Sequence, residues 1–245
     1  GKSGHGKTSL LCAGLAPFLL RAGYLPVYVR CGTNPLHSVM VNTLDRTLQI
    51  NPTLSYEALA HLLTPTDLSL SSFIREHRRI VGRPLVIMFD QFEEFFITLG
   101  DTTRKDFEDQ LAECVDSPYI DAVFMLSLRE DFLAELYELR LLRSILGNHY
   151  RLKALTVDAA RKAITEPARQ FDVSFEDGLV ELILQELSDR EQVDPSQLQI
   201  VCDRLYNNKL ENQDCITLSL YKELGGVKQI LTDYVDTILD SFGPK

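Results

Sequence analysis

Gly1-Lys2-Ser3-Gly4-His5-Gly6-Lys7-Thr8 opens the chain and decides its reading, because it fits the phosphate-binding pattern G-x-x-x-x-G-K-[ST]. Glycines at Gly1, Gly4 and Gly6 let the backbone curl until successive N–H groups point into one concavity, where a triphosphate chain can sit. Lys7 is placed to reach the β- and γ-phosphates, and Thr8 to offer its hydroxyl to Mg²⁺. His5 occupies a free position and contributes its backbone N–H rather than acid-base chemistry. Ser9 belongs to the same nucleotide-binding stretch and begins the apolar run Ser9-Leu10-Leu11-Cys12-Ala13-Gly14-Leu15-Ala16. That run reads as the helix the motif requires, with its positive dipole end aimed at the phosphates.

A phosphate-binding loop normally follows a buried strand, yet Gly1 has nothing before it. The expectation is an excised segment whose parent carries an apolar strand immediately upstream, so the first strand of the sheet is missing here. A native N-terminus at Gly1, found by intact-mass analysis, would contradict this.

Composition narrows the class. A charged fraction of 24% and a hydrophobic fraction of 45% suit a globular chain able to bury a core. The formal net charge of -10 argues against broad, unspecific nucleic-acid binding, which needs a basic surface. No apolar run is long enough to span a bilayer and no signal peptide is visible. The five cysteines form no C-x-x-C pair and several lie in apolar runs. Reduced core thiols and a cytoplasmic location follow more readily than a disulfide framework.

The second informative stretch is Pro84-Leu85-Val86-Ile87-Met88-Phe89-Asp90-Gln91-Phe92-Glu93-Glu94-Phe95. A continuous apolar run ending in a carboxylate predicts a buried parallel strand with Asp90 at its C-terminal end, where ligand chemistry gathers in α/β sheets. Asp90 therefore reads as the Walker B aspartate, holding Mg²⁺ beside Thr8. The next residue, Gln91, cannot act as a base. Glu93 and Glu94 are the candidates to orient an attacking water, against the alternative of solvated charges opening a helix. Slow hydrolysis is the expectation.

Elsewhere the periodicity predicts a strand at 27–30, a helix carrying Leu36, Val39, Met40, Leu44 and Leu48, and two further helices over 53–80, divided at Thr64-Pro65-Thr66. It predicts a helix over 101–116 and a second buried strand, Ala122 to Leu128, ending at Arg129. That arginine either reaches the γ-phosphate or pairs with Glu130 or Asp131 at the surface. A last strand is expected at 149–155. Beyond it the pattern is helical throughout, with Asp194-Pro195 opening one helix and Gly225-Gly226 interrupting the last. The boundary falls near 155, between an α/β core (1–155) and an all-helical domain (156–245).

Guanine-specific loops carry D-x-x-G after the Mg²⁺ strand, and here Glu93 stands where that glycine would be. Asn208-Lys209-Leu210-Glu211 is only a near miss to the guanine motif N-K-x-D. ATP is the favoured nucleotide.

Taken together, Gly4-His5-Gly6-Lys7-Thr8-Ser9-Leu10-Leu11, Asp90-Gln91-Phe92-Glu93-Glu94-Phe95, Leu126-Ser127-Leu128-Arg129-Glu130-Asp131-Phe132-Leu133, Ala163-Ile164-Thr165-Glu166-Pro167-Ala168, Phe175-Glu176-Asp177-Gly178-Leu179-Val180 and Tyr221 with Gly225-Gly226-Val227 resemble the STAND class of signalling ATPases, novel STAND NTPases type 1. The resemblance covers essentially the whole chain. It implies an ASCE-type P-loop NTPase fold, a parallel sheet of order 5-1-4-3-2 with helices on both faces, then a helical lid that can run into a winged-helix region. It also implies ATP/ADP and Mg²⁺ as cofactors, slow ATP hydrolysis, self-association on activation, and tethered effector and repeat domains outside the segment, in defence signalling. By position, Arg129 resembles the sensor arginine of the fourth strand and Pro195 the lid proline set against the nucleotide, although Glu191-Gln192-Val193-Asp194 before it lacks the usual glycine. The competing reading is an AAA+-like ATPase that turns over ATP to remodel protein or DNA, and a third is a structural module without turnover.

Overall fold

Strand β2, Leu85–Asp90, is buried at every position and lies between β1, Leu25–Arg30, and β3, Ala122–Leu126, in a parallel sheet of order β1-β2-β3. The register pairs Tyr28 with Met88 and Arg30 with Asp90 on one side, and Phe89 with Leu126 on the other. Successive residues of a strand face opposite ways. Leu85, Ile87 and Phe89 accordingly enter the main apolar core, whereas Val86 and Met88 pack with Leu11 and Tyr28 on the other face. Layers on both sides of a parallel sheet are what an uninterrupted apolar strand demands. The structure, a computed structural model, describes residues 1, 4–55, 57, 59, 62, 69–139, 148–209, 214–241 and 243.

The chain divides into two units, Gly1–Ser3 with Lys7–Arg151, and Gly4–Gly6 with Leu152–Lys245. In the first, helix α1 consists of three consecutive segments, Lys7–Ser9, a π-helical Leu10–Leu15 and Ala16–Arg21. Helix α2, Pro35–Ile50, starts where Asn34 accepts from the His37 N–H and Pro35 supplies a preset first turn. Its buried stripe of Val39, Met40, Thr43, Leu44 and Thr47 includes two hydroxyls, which donate back to the carbonyls of Val39 and Thr43. Helix α3, Leu70–Val81, is capped by Ser69 and stopped by Gly82 at φ 74, a left-handed conformation that glycine adopts without strain. Of the two helices expected over 53–80, this is the second; most of the first falls outside the described residues.

Helix α4, Glu93–Thr98, and α5, Asp101–Asp116, follow β2. Phe92 and Phe95 stack at 4.9 Å between centroids, and Phe107 of α5 meets Phe89 edge-on at 5.4 Å and Phe95 at 5.2 Å. This aromatic knot fixes the turn that leaves the end of β2. After β3 come a 3₁₀ turn, Glu130–Phe132, and α6, Leu133–Glu138.

Two expectations are corrected here. β3 is not fully buried: Val123 is 50% exposed, because among the described residues β3 has a strand partner on one side only. The strand expected at 149–155 does not form. Residues 149–154 lie outside any strand, and Tyr150 is 83% exposed, so its ring supplies no apolar contact to hold the segment in a sheet. Only Leu155–Thr156, strand β4, is extended and paired.

Helices dominate the second unit: α7, Val157–Gln170; α8, Leu179–Leu187; α9, Pro195–Asn208; α10, Leu218–Glu223; and α11, Gly226–Ser241. Their apolar faces, with Ile164, Ile183, Leu187, Val201, Leu205, Tyr221 and Ile230, form one core. Two-residue strands also occur, which helical periodicity had not signalled. β5, Ser174–Phe175, pairs with β8, Cys215–Ile216, and β6, Ser188–Asp189, forms a hairpin with β7, Gln192–Val193, which pairs also with β4. The segment before Pro195 is therefore a hairpin whose turn residues, Arg190 (φ 48) and Glu191 (φ 62), are both left-handed without glycine. Gly225 and Gly226, at φ 76 and 72, separate α10 from α11, and the Tyr221 hydroxyl and Glu186 carboxylate accept from the Val227 N–H. Glu176 likewise accepts from the Leu218 N–H at the start of α10. These contacts give structural roles to the Phe175–Val180 and Tyr221–Val227 motifs. Among the described residues no helix is long and apolar enough to cross a membrane.

Candidate functional site: a Walker A and Walker B pair

Asp90 ends β2 at the ligand-bearing edge of the sheet and is fully buried. Three hydroxyls from three parts of the first unit converge on it. Thr8 in the first turn of α1 donates to Oδ2, Tyr28 of β1 donates to the same oxygen at 2.9 Å, and Ser127, just past β3, donates to Oδ1 at 2.7 Å. Burial alone would raise the Asp90 pKa, but the hydrogen bonds from Thr8, Ser127 and Tyr28 outweigh it and hold the carboxyl below its ordinary value. Burial, followed by the bond to Asp90, pushes Tyr28 up to about 12, so its hydroxyl remains a donor.

Thr8 and Asp90, which the sequence singled out as metal ligands, are thus brought together. The donor set is oxygen only: one hydroxyl, one carboxylate and open solvent beside Thr8. This fits Mg²⁺, which is held by one or two carboxylates and completes its shell with water and phosphate oxygens.

Lys7 donates to the Gly1 carbonyl at 3.3 Å, which also accepts from the Glu130 N–H at 3.2 Å. Ser9 is exposed in the first turn of α1. Gly4 and Gly6 both have φ 77, so the curl attributed to the glycines is present. Gly4–Gly6 group with the second unit. There the Ser196 hydroxyl donates to the Gly4 carbonyl at 2.9 Å, and His5 Nδ1 lies 3.3 Å from the Leu152 carbonyl oxygen. A Cβ on Gly4 would come within 2.3 Å of that hydroxyl. Pro195 is the first residue of α9, where Asp194 accepts from the N–H groups of Ser196 and Gln197.

Glu93 is buried at 8% exposure, with Oε2 accepting the Arg129 N–H at 3.2 Å, so it is not a solvated helix-opening charge. Glu94 is more open, 3.9 Å from Arg30. Arg129 extends its guanidinium to Asp131 and over the Phe132 ring at 5.5 Å, the surface pairing weighed from the sequence. Gln91 sits at φ 53, and Arg30 holds its side-chain carbonyl with Nε at 2.7 Å and with Nη2.

Tyr28, Ser127 and Arg30 were not among the expected site residues. Period two along β1 puts Tyr28 and Arg30 on one face, but it is the register, opposing them to Met88 and Asp90, that brings them to the site.

A comparison with curated proteins finds no match. Among solved structures, the chain is similar to the Walker-type ATPase PABY2304 of Pyrococcus abyssi (TM-score 0.62, 16% identity, covering 97% of this chain and 65% of that one). It is also similar to the ORC2 protein of Aeropyrum pernix in its ADPNP-ADP complexes (0.63, 14%, 95% and 60%) and to CDC6P of Pyrobaculum aerophilum (0.55, 16%, 88% and 56%). The chain spans about three fifths of the length of these proteins, and at such identities the likeness is one of fold: a P-loop ATPase sheet followed by a helical lid. The model of the family Novel STAND NTPase 1 matches residues 1–245, and the chain belongs to that family.

Proposed function

We propose that the chain is the ATP/ADP-binding switch module of a larger signal-transduction protein, binding Mg²⁺ with the nucleotide and hydrolysing ATP slowly. The observation that carries this reading is the hydrogen bond from Thr8 to Asp90, which joins the phosphate loop to the metal-binding carboxylate. The Lys7 ammonium would neutralise part of the phosphate charge, and Thr8 and Asp90 would hold Mg²⁺, which when bound would polarise the terminal phosphate. Adenine is favoured by the absence of guanine motifs, and the likeness in fold to ORC2, solved with ADPNP and ADP, supports it.

The groups beside Asp90 support the reading of slow turnover. Gln91 carries no base and its amide is engaged by Arg30, while Glu93 is committed to the Arg129 N–H. Arg129, released from Asp131, would meet the γ-phosphate and so distinguish ATP from ADP. A switch needs such a difference, since a ligand moves an equilibrium only by its unequal affinity for the two states. In this reading exchange of ADP for ATP drives self-association in the cytoplasm and activates a tethered effector, in defence signalling.

The test is nucleotide retention and assembly. Protein purified without added nucleotide should carry ADP, and ATP should shift its mass in light scattering. Empty protein whose mass ignores ATP would sink the switch, and steady rapid turnover would favour a remodelling motor.

A further inference from the structure

Three hydroxyls hold Asp90, but only Thr8 among them belongs to the phosphate-binding motif. We propose that Tyr28 is a positioning residue for the metal-binding carboxylate, fixing the orientation of Asp90 so that Mg²⁺ and nucleotide bind cooperatively. This rests on the nucleotide-binding reading above and extends it to a residue outside both Walker motifs.

The argument is one of lone pairs. A carboxylate offers about four acceptor sites. Tyr28 takes one on Oδ2 and Ser127 one on Oδ1, so the plane of the carboxylate is clamped from both neighbouring strands. Thr8 takes a further site on Oδ2, and the Gln91 backbone N–H also bonds to the carboxylate. When the Thr8 hydroxyl turns to a cation, the Tyr28 and Ser127 clamps remain with that backbone bond, and Asp90 presents the lone pair that Thr8 leaves.

The clamp is itself supported. The Asn42 amide of α2 donates to the Tyr28 carbonyl at 3.0 Å, and Tyr28 packs against the cluster of Leu11, Val86 and Met88 on the α1 face of the sheet. Tyrosine brings a hydroxyl across this packed layer on a rigid ring, a reach that serine or threonine in β1 would lack.

The sign of the effect separates positioning from simple electrostatics. Removing a donor makes a carboxylate more basic, which on charge grounds alone strengthens its hold on a cation. Loss of orientation weakens it, and removal of groups that orient metal ligands typically costs about 10–100-fold in metal affinity.

The experiment uses Tyr28→Phe, which keeps the ring, with Ser127→Ala as a second variant. ADP affinity is measured by calorimetry in EDTA and across a Mg²⁺ titration, and Mn²⁺ bound with ADP is followed by electron paramagnetic resonance. Wild type should bind ADP more tightly with Mg²⁺. In Tyr28→Phe the affinity in EDTA should change little, while the Mg²⁺ enhancement falls about tenfold and the bound-Mn²⁺ spectrum broadens. Ser127→Ala should move the same way and serves if Tyr28→Phe does not fold. An unchanged or larger Mg²⁺ enhancement in the folded variant overturns the positioning role alone. Wild type that binds no nucleotide overturns this inference together with the reading it rests on.

Discussion

The Thr8 hydroxyl donates to the Asp90 carboxylate, linking the first turn of α1 to the end of the central strand. This single bond joins the two motifs on which the proposed function rests. Loss of the adjacent lysine should therefore be felt as loss of ligand rather than loss of fold. Lys7→Ala is expected to weaken ADP and ATP binding at least ~10-fold, the order of one charge-assisted phosphate contact. Calorimetry, with the thermal midpoint of the nucleotide-free protein as control, checks this.

Arg129 gives a second prediction. Its pairing with Asp131 leaves its guanidinium at the surface, and the proposed switch would require it to exchange that partner for a γ-phosphate. Arg129→Ala should bring ATP and ADP affinities together. Asp131→Asn, which removes the competing charge, should widen the gap in favour of ATP. Paired titrations of the two nucleotides decide it, and an Arg129→Ala protein that still separates them would assign discrimination elsewhere.

His77 makes stability depend on pH. It is fully buried on α3 against α2, with Nε2 2.8 Å from the Thr47 hydroxyl and Nδ1 without a hydrogen-bond partner among the described residues. Burial pushes its pKa down to about 4, from 6.5. The unfolded chain thus binds the proton first, and stability that is complete above pH 6.5 is lost as pH falls towards 4. The loss is about 3 kcal/mol at the end of that window. Urea unfolding at several pH values should show the slope in wild type and a shallower one in His77→Leu.

The β6-β7 hairpin is open to improvement. Its two turn residues, Arg190 and Glu191, both adopt positive φ, the pattern of a type I′ turn, which favours Asn-Gly. Replacing them with Asn and Gly should stabilise the second unit by about 1 kcal/mol. A raised midpoint in thermal unfolding is the expected result.

What the sequence made legible tracks how completely each element is buried. β2 was readable because burial on both faces demands an unbroken apolar run, and α2 and α5 because one buried stripe imposes the helical repeat. β3 was read as a strand but its burial was overstated, since a run of side chains says nothing about whether both edges are occupied. Residues 149–154 were misread because alternating apolar side chains can lie along an irregular segment as easily as in a ladder. The short pairings around α8 and α9 were invisible, as two residues carry no period. In the candidate site, the motifs single out Thr8 and Asp90, which the structure brings together, whereas Tyr28 reads as one more member of an apolar strand. Its role depends on facing Asp90 from a neighbouring strand, a relation fixed by register between segments distant in sequence.

The stacked rings of Phe92 and Phe95 change what the Asp90–Phe95 motif records. Its aromatic letters belong to the core, whereas Asp90 accepts from Thr8, Tyr28 and Ser127 and Glu93 from the Arg129 N–H, all interleaved within one short stretch. The backbone that carries Gln91 and Glu93 is therefore anchored on both sides by buried rings, so the placing of the polar residues of this motif is tied to the packing of its neighbours.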